Sequence, residues 1–347
     1  MKKNATFREQ VLEFWRWFPT VAQPLAEQLQ AGQGLDDLGF DFAAEVRDKV
    51  GGLAWVFGPG EGEGRYSFTV TGEGQKAKQL LSQFWLSQAV EVPGWDFYCA
   101  RQPSPPDQLV NLAIDVGGTS VDAETLMIAT EVIDEANAVN IKAWHDAFEQ
   151  VPDDARFQIL YLLLDEALGE YGTQTKLGEI QFQSDSAARP LAELPGYLEQ
   201  LWSEKGWDEV SPLETYAGYR AEPTEGFDRG DTIAGYTCVP QVVLGFLNNE
   251  GRLEEDPIEN TGAEYLFVQI EADAFSSEDP LEDRTEVEEE IAKRLYGAGY
   301  VVGGATGTHN MYIDLVTFDG ARSKAAIEEA LDVKQLNGKY QLKSFVR

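Results

Sequence analysis

The sequence predicts an α+β protein with mixed or antiparallel sheets and packed helices. Apolar runs of strand length alternate with amphipathic helical stretches from end to end. No period of repeat-protein length is visible, which excludes a solenoid. From residue 264 onward the pattern reads β-α-β-β-α-β.

Residues 5–31 read as an amphipathic helix with Phe7, Val11, Phe14, Trp15 and Phe18 on one face and a break or kink at Pro19. A short helix follows near 36–49. "LAWVFGPG" (53–60) and "RYSFTVTG" (65–72) pair as strands across the glycine-rich "PGEGEG". Residues 75–88 are helical, with Leu80, Leu81, Phe84 and Trp85 on one face, and "WDFYCAR" (95–101) is a strand. "PSPPDQ" (103–108) punctuates the chain. Strands are expected in "LVNLAIDV", "LMIATEVI" and "AVNIKAWHDAF". A helix follows over "ARFQILYLLLDEALGEYG", with Phe157, Leu160, Leu164, Leu168 and Tyr171 as its core stripe and Gly172 at its C-cap. "TKLGEIQFQ" (175–183) is a strand. Residues 1–185 thus read as two related copies or as one mixed sheet, and the sequence leaves both open.

Residues 184–196 read as a linker, with a short helix at 190–204. The region 205–262 is irregular, except that the apolar run Thr237–Leu247 must be buried as helix or strand. "EYLFVQIEAD" (264–273) is a strand. Thr285–Gly297 is a helix with a Thr285/Glu288 capping box and a Val287, Ile291, Leu295 stripe. "YVVGG" (300–304) and "NMYIDLVTFD" (310–319) are strands. Ser323 caps a helix carrying Ile327 and Leu331, and "YQLKSFV" (340–346) is the last strand. This order is that of the ferredoxin-like split βαβ unit, a sheet with one open face and exposed edges suited to partners. The expected domains are an N-terminal α+β domain, 1–190, and a C-terminal domain, 191–347, with the ferredoxin-like unit at 264–347.

Charge narrows the function classes. Sixty acidic against 27 basic residues give a net charge of −33, which disfavours direct binding to nucleic acid or anionic lipid. Residues 250–290 hold 16 acids against Arg252 and Arg284. A solvated acidic surface and a docking face for a basic protein both fit. No run of 18 apolar residues and no secretory signal are visible, so a cytoplasmic protein is expected. Cys99 and Cys238 are expected as reduced thiols.

Two glycine clusters invite a chemical reading. "LAIDVGGTS" (112–120) has the residues of a sugar-kinase phosphate hairpin, with Asp115 to organise metal and Gly117, Gly118 and Thr119 to approach phosphate. Its position argues for a tight strand-to-strand turn instead. The motif should open such a fold, yet a long structured stretch precedes it, and no adenosine motif follows. "VVGGATGTHN" (301–310) matches neither dinucleotide nor P-loop spacing and leads into a strand rather than a helix. A hairpin with a bulge is its main reading. Its ligand-binding alternative uses Gly303, Gly304, Thr306, Gly307 and His309, with Asp314 nearby. The two histidines, His145 and His309, have no metal-ligand spacing, and no nucleophile elbow is present. No catalytic residue, metal or cofactor is expected.

"FWRWF", "LAWVFGPG", "PGWDFYCAR" and "LLLDEALGEYGTQTKLGEIQF" resemble an uncharacterised bacterial family of unknown function over residues 10–185. The C-terminal "YLFVQIEAD … GYVVGGATGTHNMYIDLVTFD" is similar to ferredoxin-like domains of the regulator-of-ribonuclease-E type. That resemblance implies a small acidic module that binds and inhibits an RNA-degrading enzyme, and it brings no catalytic residues. The expected function is a non-enzymatic cytoplasmic binding or regulatory protein acting through an acidic surface on a basic protein partner. The alternative is a small-ligand binder or enzyme using a cleft between the two parts, with the sugar kinase ranking last.

Overall fold

The computed structural model describes residues 5–32, 34–116, 119–183, 188–275 and 279–346. Contacts divide the chain into one unit made of Met1–Cys99 with Tyr216–Arg347 and a second unit, Ala100–Thr215, inserted between those segments. The boundary expected at 190 is therefore replaced by boundaries at 99 and 215.

In the first unit Thr6 opens α1 (Phe7–Gln30) with a capping box, its side chain taking the Glu9 N–H while Glu9 takes the Thr6 N–H. The helix runs through Pro19 and Pro24 without the expected break. An interior proline costs about 3 kcal/mol. Burial of Phe14, Trp15, Phe18 and Leu25 on one face offsets it. This face packs on α2 (Phe42–Lys49), β2 (Tyr66–Thr71), α3 (Lys76–Ser87) and β3 (Trp95–Tyr98), and β1 (Ala54–Pro59) pairs antiparallel and β3 parallel to β2. Phe14 lies 5.3 Å from Phe18, 5.3 Å from Trp85 and 5.6 Å from Phe68 between ring centroids, an aromatic core.

The second unit contains α4 (Pro106–Leu109), β4 (Ala113–Val116), β5 (Thr119–Asp122), β6 (Met127–Ile133), β7 (Ala138–Trp144), α5 (Asp153–Lys176), β8 (Leu177–Phe182), β9 (Arg189–Pro190) and α6 (Leu194–Lys205). Its main sheet has the order β8-β7-β6-β9 and mixes parallel and antiparallel pairs. Pairing of β9 with β6 places 189–190 inside this unit. The expected helix end at Gly172 is not an end, because α5 continues to Lys176 and breaks at Gly169, with φ 73°. There the preceding chain enters the helix ladder. Ser104 N–H donates to Glu166 O at 2.7 Å, and Glu170 N–H donates to Arg101 O at 3.0 Å. Leu160, Leu163 and Leu164 form the buried stripe, whereas Phe157 is 40% exposed.

Returning to the first unit, the chain forms β10 (Ala217–Arg220), β11 (Thr232–Thr237), α7 (Pro240–Asn248), β12 (Glu264–Glu271), α8 (Pro280–Arg294), β13 (Gly299–Gly307), β14 (Asn310–Thr317), α9 (Ala321–Val333) and β15 (Tyr340–Ser344). The sheet order is β10-β11-β13-β14-β12-β15, every neighbouring pair antiparallel. The order β-α-β-β-α-β expected from residue 264 is present. Leu266, Val268, Ile270, Ile313 and Leu315 bury one face of the sheet against Val287 and Ile291 of α8 and Ile327 and Leu331 of α9.

The open face expected of that sheet is covered, and so is one of its two expected edges, while β15 stays at the other edge. On the other face Tyr265, Phe267, Tyr312 and Val316 are also buried. Tyr265 donates its hydroxyl to Ala77 O at 3.0 Å, and Phe318 lies 4.4 Å from Phe84. Phe7 N–H donates to Gly262 O and Arg8 N–H to Phe318 O, so the N-terminal residues belong with the C-terminal sheet. β11 covers the edge of β13. The helix caps also shift. Asp279 caps α8 by accepting from Leu281 and Glu282 N–H, while the Thr285 hydroxyl donates to Leu281 O inside the helix. Ser323 lies within α9 and donates to Ala298 O. Among the described residues no helix is long and apolar enough to cross a membrane.

Candidate functional site

The second glycine cluster forms most of β13, in the middle of the sheet rather than in a loop. A bulge falls between Val301 and Gly303, and Thr308–His309 make the turn into β14. The glycines permit close approach. A Cβ on Gly303 would collide with Tyr236 O, and one on Gly307 with the Asp231 carboxylate. One on Gly304 would meet Glu288 Oε1 at 2.5 Å. Thr306 Oγ1 accepts from Arg284 at 3.3 Å. The expected ligand residues Gly303, Gly304, Thr306 and Gly307 are thus together, packed against protein. His309 stands exposed in the turn.

Asp231, just before β11, builds that turn. Its Oδ2 accepts from His309 N–H at 2.9 Å, Asn310 N–H at 3.1 Å and the Asn310 side chain at 3.2 Å, and its Oδ1 accepts the Tyr312 hydroxyl. Burial opposes the charge, but the Tyr312 hydroxyl and the His309 and Asn310 donors outweigh it and hold the carboxyl below its ordinary value.

Two arginine–carboxylate pairs flank the glycine strand. Arg229 and Asp314 meet with neither side chain exposed. Asp314, expected as a neighbour of a ligand site, is fully engaged by Arg229. The guanidinium sits 4.9 Å from the Tyr312 ring centroid and 5.3 Å from those of Phe267 and Phe345, and also donates to the Tyr219 hydroxyl at 3.1 Å. Burial pushes the Tyr219 phenol up to about 12. On the helix side Arg284 Nε lies 3.0 Å from Glu288 Oε1, and Tyr236 donates to Glu288 Oε2 at 2.6 Å. Burial raises Glu288 above its ordinary value, partly opposed by Tyr236 and Arg284.

In the second unit His145 Nδ1 accepts the Ala147 N–H at 3.1 Å. Nε2 lies 2.9 Å from Thr125 Oγ1, whose hydroxyl donates to Asp122 Oδ1 at 2.8 Å. The chain fastens the β5–β6 turn to the end of β7. Of the sugar-kinase motif, Asp115 is exposed on β4, which pairs with β5 as Asp115↔Ser120 and Val116↔Thr119. Gly117 and Gly118 lie outside the described residues. No cluster of three or more His, Cys, Asp or Glu able to hold a metal occurs among the described residues.

The charge reading rests on different residues. Glu254, Glu255, Glu259, Glu282 and Glu289 are exposed and form no ion pair among the described residues. Of the two cations in 250–290, Arg284 is turned inward onto Glu288. Sequence reasoning identified the acidic stretch but missed the buried pairs. The signal for one was Asp314 itself, an acid inside the apolar run "MYIDLVTF" that burial obliges to find a cation. Compared with protein-family models, curated proteins and solved structures, the chain matches none.

Proposed function

We propose that the protein is a non-enzymatic, cytoplasmic binding or regulatory protein that docks a basic protein partner through exposed acids of residues 250–290. The observation that carries this reading is that Glu254, Glu255, Glu259, Glu282 and Glu289 form no ion pair among the described residues, while Arg284 is engaged in a buried contact. Unneutralised surface acids attract a basic partner over about 8–10 Å at physiological ionic strength and set its rate of encounter. The ordered carboxylates elsewhere support the same reading. Asp231 holds a turn, Asp314 an arginine and Asp122 a loop.

The test is capture of basic proteins on the immobilised full chain in low salt, repeated with Glu254, Glu255, Glu282 and Glu289 changed to Gln. Salt-reversible capture lost in the variant supports the reading. Capture that ignores the substitutions, or none in low salt, removes it.

A further inference from the structure

A cavity of about 720 Å³ lies beside β10 and α7. Its size is within the range of about 300–1,000 Å³ common for small-molecule sites. Arg220, Arg229 and Arg252 line it, with Glu222, Glu225 and Glu250. Phe227, Leu244 and Leu247 supply apolar wall.

Arg220 and Arg252 differ from the arginines that hold carboxylates elsewhere, although Arg16 and Arg189 also form no ion pair among the described residues. Arg8, Arg65, Arg284, Arg294 and Arg322 each hold a carboxylate. In a chain with 60 acids to 27 bases, carboxylate partners are plentiful. Arg220 and Arg252 nevertheless form no side-chain hydrogen bond or ion pair among the described residues, although three glutamates share the cavity with them. Arg229 is held by Asp314, yet its Nε is buried without a hydrogen-bond partner. The backbone is also strained at the cavity. Arg229 and Glu250 take φ of 68° and 50°, in the left-handed region unfavourable to side-chain-bearing residues.

We propose that this cavity binds a zwitterionic small molecule of the amino acid or short-peptide class, its carboxylate on Arg220 and Arg252 and its ammonium on the glutamates. A guanidinium offers a carboxylate two parallel donors, which matches the unpaired arginines. A simple anion would meet three carboxylates in the same space, and a simple cation would meet the arginines. A zwitterion satisfies both sets, and the apolar wall accepts a side chain.

The experiment is calorimetric titration of the full chain with free amino acids and with dipeptides bearing free termini. Matched methyl esters remove the carboxylate charge, and N-acetyl forms remove the ammonium. At least one free-terminus probe is expected to bind saturably, about tenfold or more tighter than either blocked form. Arg220→Gln and Arg252→Gln, both at exposed positions, should each weaken it about tenfold with the melting temperature of the unliganded protein unchanged. Arg220→Lys should recover part of the loss. Absence of saturable binding below about 1 mM overturns the proposal. So does binding indifferent to blocking or to both arginine substitutions, and so does equal binding of inorganic phosphate. None of these residues is among the glutamates changed in the docking test, so the two readings fail separately.

Discussion

Arg229 and Asp314 stand 85 residues apart in the chain and form a two-pronged ion pair with no exposure of either side chain, Arg229 Nη2 donating to Asp314 Oδ2 at 3.3 Å. The pair ties the chain before β11 to the middle of β14. Removing one member leaves a buried charge unpaired, which costs about 3–5 kcal/mol. Asp314→Asn and Arg229→Met should each lower the unfolding free energy measured by urea denaturation by that amount. Arg229→Met with Asp314→Leu should lose less than the sum of the matched single changes, because no lone charge remains. A strictly additive double variant would contradict the pairing.

The glycine strand gives a second expectation. Gly303→Ala forces a methyl against the Tyr236 carbonyl and should cost about 1–3 kcal/mol. Gly196, exposed within α6 with open space where a Cβ would stand, gives the opposite sign. Gly196→Ala should stabilise by about 0.5–1 kcal/mol through helix propensity. Thermal melting of the two variants checks both.

Two carboxylates should bend the stability curve with pH in opposite directions. Asp231 is held below its ordinary value of 3.8, so the unfolded chain takes its proton first. The stability it supplies is complete above 3.8 and disappears as pH falls through the lowered value. Glu288 is raised above 4.5, so its contribution is complete below 4.5 and declines as pH rises through the raised value. Asp231→Asn should destabilise by about 1.5–3 kcal/mol at neutral pH, with the gap closing in acid. Glu288→Gln should flatten the curve above 4.5. Urea midpoints across the acid-to-neutral range test both signs.

Thiol chemistry separates the cysteines. Cys238 is buried, and burial pushes its thiol up to about 11, with Lys76 opposing. A thiol reagent at mildly alkaline pH should modify partly exposed Cys99 in the native state and Cys238 only on unfolding. Peptide mapping of the labelled protein reads the order.

The element pattern was legible where periodicity is local. Leu266, Val268 and Ile270 alternate with Tyr265 and Phe267, and Val287, Ile291 and Leu295 recur at helical spacing, so β12 and α8 could be placed from their own residues. The same alternation hid that both faces of β12 are buried, since Tyr265 and Phe267 meet segments distant in sequence. The glycines of β13 read as loop punctuation because their purpose is approach by Tyr236 and Asp231, which no local window contains. The unit boundary was hidden for the same reason, as Phe7 bonds to Gly262 and Arg8 to Phe318 across most of the chain. Of the candidate sites, the acidic stretch was visible in composition, whereas the arginine-lined cavity depends on β10, the following loop and α7 coming together.

Binding through unneutralised surface acids is tested most directly by salt-dependent capture from the lysate of the cells that make the protein. Wild type should retain basic proteins in low salt and release them as salt rises. The chain with Glu254, Glu255, Glu282 and Glu289 changed to Gln should retain markedly fewer. Retention of the same proteins by the variant, or no retention by wild type in low salt, would contradict the account.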